Sequence, residues 1–142
     1  MRVVLDTNVL ISGTYWSGSS FQVLKLAIYG EFSLVISDKI LDEYKRVLYS
    51  DEILKKTDSI QQARSAATEK LLANSISVIP SKSCRAVADD PDDDKFVECA
   101  VEGVCEFLIS QDEHLLNLKK YNGIKIVSPD EFLRDWNEKN KS

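Results

Sequence analysis

The chain has 142 residues, 44% of them hydrophobic and 29% charged, with 18 Lys and Arg against 23 Asp and Glu for a net charge of −5. Those proportions exclude disordered and fibrous classes and leave enough chain for one buried core, so a single domain over residues 1–142 is expected. The negative balance runs against nucleic-acid binding through a simple basic patch, so a phosphate-handling site here needs cations to offset its acids.

Short apolar runs rich in β-branched residues alternate with longer segments of helical period, which predicts a parallel α/β sheet with helices on both faces. The first strand, residues 2–6, closes on Asp6. Residues 12–20 follow as the least regular stretch, with Gly13, Trp16 and Gly18. Tyr15 and Trp16 there either stack on a base, join an interface or simply pack. A helix over 20–29 stops at Gly30, a strand over 32–37 follows, and Ser37 or Asp38 caps a helix over 38–49. The polar stretch 51–59 suits a short extra helix, ahead of a helix over 60–74 and a strand over 75–79. A helix over 93–102 ends before Gly103, a strand spans 106–110, and a helix is expected over 113–121. The fifth strand, 124–127, precedes Pro129 and a last helix over 130–140 that frays toward the end.

Other chemistries find little support. The three cysteines, Cys84, Cys99 and Cys105, form no CxxC pair and read as thiols in a reducing compartment. His114 is the only histidine, which removes His-pair metal motifs, and it reads as a surface residue early in a helix. Apolar stretches are short for a bilayer and the N-terminus shows no signal region, so a cytoplasmic location without membrane contact is expected. Lys55-Lys56 and Lys119-Lys120 with Lys125 read as solvated helix ends rather than a phosphate track.

Carboxylates carry the chemistry. Asp6 follows Val3-Val4-Leu5 and Asp112 lies just past Phe107-Leu108-Ile109, so both sit at the ends of buried strands, where open α/β sheets place their sites. Gathered carboxylates raise one another's pKa unless a cation neutralises them, and hard oxygen ligands select Mg²⁺ or Mn²⁺. Each acid also has a structural alternative: Asp6 and Asp112 as helix N-caps, Glu43 as an exposed partner of Lys39 or Lys45. Asn8 is placed to hold Asp6 by hydrogen bond, Thr7 adds a polar group, and Ser110 can donate to a carboxylate or a phosphate. On the helical wheel Glu43 flanks the stripe of Ile40, Leu41, Tyr44, Val47 and Leu48, while Asp42 points away. In the run Asp92-Asp93-Asp94, Asp93 falls nearest the stripe of Phe96, Val97, Ala100, Val101 and Val104, and Asp94 toward its edge. Asp93 is therefore the first choice as ligand and Asp94 the second, with Asp92 and Glu98 pointing away.

Four pieces taken in order resemble the PIN domains: Leu5-Asp6-Thr7-Asn8-Val9-Leu10; Ser37 with Glu43; Asp90-Pro91-Asp92-Asp93-Asp94-Lys95-Phe96-Val97-Glu98-Cys99-Ala100; and Leu108-Ile109-Ser110-Gln111-Asp112. The resemblance implies a three-layer sandwich around a five-stranded parallel sheet with the Asp6 strand at its centre. It also implies cleavage of single-stranded RNA with Mg²⁺ or Mn²⁺, and is nearest to the subgroup of toxin components of prokaryotic toxin-antitoxin pairs. An antitoxin partner and a homodimer are further implications. The mechanism expected is phosphodiester hydrolysis by a water that one or two ions activate, held by Asp6, Asp93 or Asp94, and Asp112, with Glu43 as ligand or orienter of the water. Two rivals stand beside it. A phosphatase of the haloacid dehalogenase type wants a second aspartate where this chain has Asn8. A PIN module that holds RNA or protein without cutting would use the same acids for metal binding or stability alone.

Overall fold

Apolar runs three and four residues long become the central strands because both of their faces are covered. The computed structural model describes residues 1–55, 58–81 and 91–140, so Lys56, Cys84 and Asp90 lie outside the described residues. In chain order these form β1 (Arg2–Leu5), α1 (Thr7–Tyr15), α2 (Ser19–Ile28), β2 (Ser33–Ile36), α3 (Asp38–Leu48), α4 (Asp51–Leu54), α5 (Ser59–Ala73) and β3 (Ile76–Ser77). A 3-10 turn (Pro91–Asp93) then leads into α6 (Asp94–Glu102), β4 (Phe107–Ile109), α7 (Glu113–Leu116), β5 (Lys120–Tyr121), β6 (Ile124–Val127) and α8 (Pro129–Lys139).

Among the described residues the sheet has six strands in the order β3-β2-β1-β4-β6-β5, all parallel except β5, which pairs antiparallel with β6. The α/β class with a central parallel sheet flanked by helices is as the sequence predicts; the strand count is one higher. The extra strand comes from residues 113–121, expected as one helix. Only Glu113–Leu116 is helical, and the chain turns back through Asn122 (φ 47°) and Gly123 (φ 83°) to pair Tyr121 with Ile124. Two consecutive left-handed residues make the tight hairpin that Asn-Gly favours, a signal present in the sequence but outweighed there by the helical period. Lys120 and Lys125 accordingly face one another across a ribbon rather than ending a helix.

The second difference is α1. No helix is expected from the sequence between the first strand and residue 20, with 12–20 the least regular stretch, and β-branched Thr7, Val9, Ile11 and Thr14 with Gly13 are weak helix formers. Burial overrides propensity: Val9, Leu10, Ile11 and Tyr15 are all core residues. Gly13 permits the packing, since a Cβ there would come within 2.7 Å of the Ser20 carbonyl oxygen. On the far side of the sheet order, Phe132 of α8 meets Phe32 and Phe107 edge to face at 5.6 and 5.2 Å.

Helix α6 ends at Glu102 with Gly103 as its C-cap, as expected. Gly103 is not the left-handed residue that closes the helix; Val104 is, with φ 50°, and the Cys105 N–H donates to the Ala100 carbonyl and the Val104 N–H to the Val101 carbonyl. Gly103 is instead required for space, because a Cβ there would lie 2.7 Å from Val35 Cγ1. Val104 is 78% exposed, so its strained backbone is not offset by burial. Val104→Gly should raise stability by about 1 kcal/mol, read by urea denaturation, because a β-branched residue in the left-handed region costs about that much. An unchanged or lowered midpoint would show that Val104 stabilises by contacts the strain argument omits.

Candidate active site

The sheet order reverses between β1 and β4, the position at which a crevice opens beyond the carboxyl ends of parallel strands. Asp6 follows β1 there. Its N–H donates to the Ile109 carbonyl at 2.9 Å, which extends the β1/β4 pairing by one residue and fixes the aspartate beside the end of β4. Asp6 is the N-cap of α1 by backbone, accepting from the Val9 and Leu10 N–H groups, but its side chain makes no capping bond to that helix. The carboxylate accepts instead from Ser110 Oγ at 2.6 Å, and Ser110 is wholly buried. Ser110 Oγ in turn accepts from the Asp112 N–H at 2.9 Å. Asn8, expected as the holder of Asp6, is exposed, and Ser110 has that role.

Asp6 is itself only 5% exposed. Burial pushes its carboxyl pKa up; the Ser110 hydrogen bond opposes that rise, the charge of Asp112 adds to it, the Thr7 backbone N–H opposes it, and the charge of Glu43 adds again. The net direction is upward, with burial the largest cause and the neighbouring acids adding to it.

Glu43 arrives from α3, and Tyr44 places it. The buried Tyr44 hydroxyl donates to the Leu5 carbonyl, fastening α3 to the last residue of β1, and the neighbouring Glu43 accepts a hydrogen bond from the Thr7 hydroxyl. Its other oxygen meets Lys95 Nζ at 2.8 Å and Arg46 more loosely at 3.8 Å. Burial by itself would raise Glu43, but the hydrogen bonds from Lys95 and Thr7 and the charges of Lys95 and Arg46 outweigh it and hold the carboxyl below its usual range. The expected partners Lys39 and Lys45 are thus replaced by Lys95. That lysine lies inside a motif read only for its acids; a lone cation after three aspartates on an amphipathic helix was the signal available.

A groove of about 520 Å³ opens between α3 and α6, lined by the acids Asp42, Glu43, Asp92, Asp94 and Glu98 and by the cations Lys39, Arg46 and Lys95. Asp93 and Asp94 are both buried, yet Asp94 lines this groove and Asp93 does not. Their burial is as places near the apolar stripe imply, and α6 begins one residue later than expected, with Asp93 closing the 3-10 turn and Asp94 opening the helix. Asp42 and Asp92 are exposed, as their wheel positions imply, and Glu98 is partly buried; all three line the groove even though the wheel turns them away from the apolar stripe.

Asp112 keeps its structural duty as well, capping α7 by accepting from the His114 N–H at 2.8 Å, with its carboxylate half-buried. His114 is exposed, 3.7 Å from that carboxylate. Asp6, Glu43 and Asp112 are therefore brought within electrostatic reach of one another, and Asp94 faces Glu43 across the groove. Among the described residues no three acidic, His or Cys side chains form a preassembled metal cage. The donor chemistry nevertheless fits a hard divalent cation: all oxygen, with the charges of Asp112 and Glu43 acting on Asp6. Also among the described residues, no helix is long and apolar enough to cross a membrane.

A family model described as PIN domain matches residues 2–114. The fold is similar to the crystal structure of PAE2754 from Pyrobaculum aerophilum, with a TM-score of 0.64, 17% identity, and coverage of 97% of this chain and 90% of that one. It is also similar to VapBC2 from Rickettsia felis bound to a DNA fragment from their promoter, with a TM-score of 0.55, 13% identity, and coverage of 90% of this chain and 98% of that one. No curated protein matches the chain.

If Lys95 is what holds Glu43 down, Lys95→Met should move the Glu43 carboxyl pKa upward, measured by ¹³C-detected NMR titration of the side-chain carboxyl. An unmoved value would assign the depression to Thr7 and Arg46 instead.

Proposed function

The chain belongs to the PIN-domain family, and from that premise we propose that it is a divalent-metal-dependent endoribonuclease acting on single-stranded RNA. The observation that carries this reading is the buried Asp6 carboxylate at the β1/β4 switch point, raised by burial and by Asp112 and Glu43. A soluble fold has no stability reason to gather like charges on a buried acid, whereas a phosphate-cleaving site does.

In this reading Asp6, Asp94 and Asp112 hold Mg²⁺ or Mn²⁺. When bound, the ion lowers the pKa of a water and neutralises charge on the phosphate. Ser110 fixes the Asp6 carboxylate through its 2.6 Å hydrogen bond and, by accepting from the Asp112 N–H, sets the two acids relative to one another. Glu43, kept ionised by Lys95 and Thr7, is the group able to accept a proton from the attacking water at Oε. Lys39 and Arg46 along the groove offer cations to the phosphates of the strand, although the acids of the lining outnumber them. Family membership and Asn8 at the second position after Asp6 both stand against a covalent aspartyl phosphatase.

The toxin role, with an antitoxin as partner and a homodimer as assembly, is the part of the proposal supported by the resemblance in motif order. A single nuclease domain over residues 1–142 in the cytoplasm completes it.

Two variants test the site. Asp6→Asn should lose Mn²⁺-dependent, EDTA-sensitive cleavage of single-stranded RNA by on the order of a hundredfold or more. Its melting temperature without metal should be equal or higher, because the amide removes the repelled charge and still accepts from Ser110. Cleavage at the wild-type rate would overturn the proposal. In calorimetric titration with Mn²⁺, Asp94→Asn should weaken binding by about tenfold or more while Asp93→Asn leaves it within a few-fold. The reverse order would return the third ligand to Asp93.

A further inference from the structure

Apart from the acid-lined groove between α3 and α6 there is a second concavity, of about 440 Å³, within the roughly 300–1,000 Å³ of small-ligand sites. It is built from loops at the same sheet edge: the end of α1, the start of α2, Gln111 after β4 and the start of α8 after β6. Gln111 lies in the chain between Ser110, which holds Asp6, and Asp112, so the pocket and the acids share one loop. Tyr15 and Trp16, equivalent in the sequence, separate here. Tyr15 is 3% exposed with its hydroxyl donating to the Leu48 carbonyl, whereas Trp16 is 46% exposed and lines the pocket.

The lining has a chemical bias. Serine hydroxyls, the Gln111 amide and the Asp130 carboxylate surround the indole, and no lysine or arginine is among the described residues that line it. Gln111 is held by a hydrogen bond to Ser20 Oγ at 3.2 Å, and Asp130 by one from the Ser19 hydroxyl, so the polar groups are oriented. A phosphate would meet Asp130 without a cation to offset it. An uncharged planar group with N–H donors would stack on Trp16 and hydrogen-bond to Gln111 and Asp130.

We propose that this pocket is a nucleobase subsite, in which Trp16 stacks on one base of the single-stranded substrate while the backbone beside that base leads to the neighbouring acids. The inference rests on the ribonuclease reading of the adjoining acids and adds to it the group that positions the strand by a base rather than by its backbone. Trp16 is a positioning residue, remote from the reacting atoms.

The chain has two tryptophans, and Trp136 lies on α8 stacked against Phe132, so Trp136→Phe leaves Trp16 as the sole indole. Fluorescence of that variant should be quenched by hexaribonucleotides of A, C or U with Ca²⁺ in place of Mn²⁺, and not by an abasic hexamer. For cleavage with Mn²⁺, Trp16→Ala should raise KM about tenfold with kcat within about twofold, and Trp16→Phe should keep KM within about threefold. Unchanged KM in an actively cleaving Trp16→Ala protein, or equal quenching by the abasic hexamer, would overturn the base subsite. Base-dependent quenching by a protein that cleaves nothing would uphold the subsite and defeat the ribonuclease reading. Neither quenching nor cleavage would defeat both.

Discussion

The candidate site is organised around one unfavourable placement, a carboxylate buried at the carboxyl end of the central strand. The main chain of Asp6 is tied to the end of β4 by the bond from its N–H to the Ile109 carbonyl, which fixes where its side chain starts. The fold tolerates it by supplying donors from three directions: Ser110 from β4, the Thr7 N–H from the start of α1, and indirectly α3, whose Tyr44 grips the same strand end. Removing any of these changes the geometry of the site and the stability of the core together, so site and scaffold cannot be separated as they can when catalytic groups sit on loops.

Lys95 gives the arrangement a second level. Glu43 carries its own internal counter-ion, while Asp6 does not, so two carboxylates a short distance apart live in opposite electrostatic states. Such divergence between neighbouring acids is how one site assigns different duties to chemically identical groups. The same lysine reaches the Asp92 carbonyl at 2.8 Å and so also ties the acidic turn ahead of α6 to α3. Tyr44, between them in the chain, has its own hydroxyl pKa pushed well up by burial, by Cys99 and by the charges of Asp6 and Glu43, which keeps it a donor to Leu5.

Much of this was legible in the sequence, and the gaps have physical causes. Strand β6 is as predicted and α2, α3, α5 and α8 fall within a residue of expectation at each end, because apolar period and capping residues agree there. Helix α1 was hidden because its residues are poor helix formers made helical by burial, a tertiary effect that local pattern does not contain. The β5–β6 hairpin was hidden behind a helical period that runs through Leu115, Leu116 and Leu118. For the site, the acids announced themselves by position after apolar runs, but which of Asp93 and Asp94 lines the groove depends on where a 3-10 turn becomes an α-helix. Lys95 as the partner of Glu43 depends on two helices 52 positions apart in numbering meeting face to face, which no local window holds.

The hairpin at the sheet margin has a consequence for assembly. Both borders of the sheet end in strands of two residues, β3 on one side and β5 on the other, and β5 with its partner presents Lys120 opposite Lys125. Like charges facing across a ribbon weaken that ribbon, but they also make the border a poor template for another chain's backbone. Any self-association of this protein is therefore steered away from strand-to-strand continuation and toward its helical surfaces, and the same device guards the half-folded chain against amyloid-like stacking.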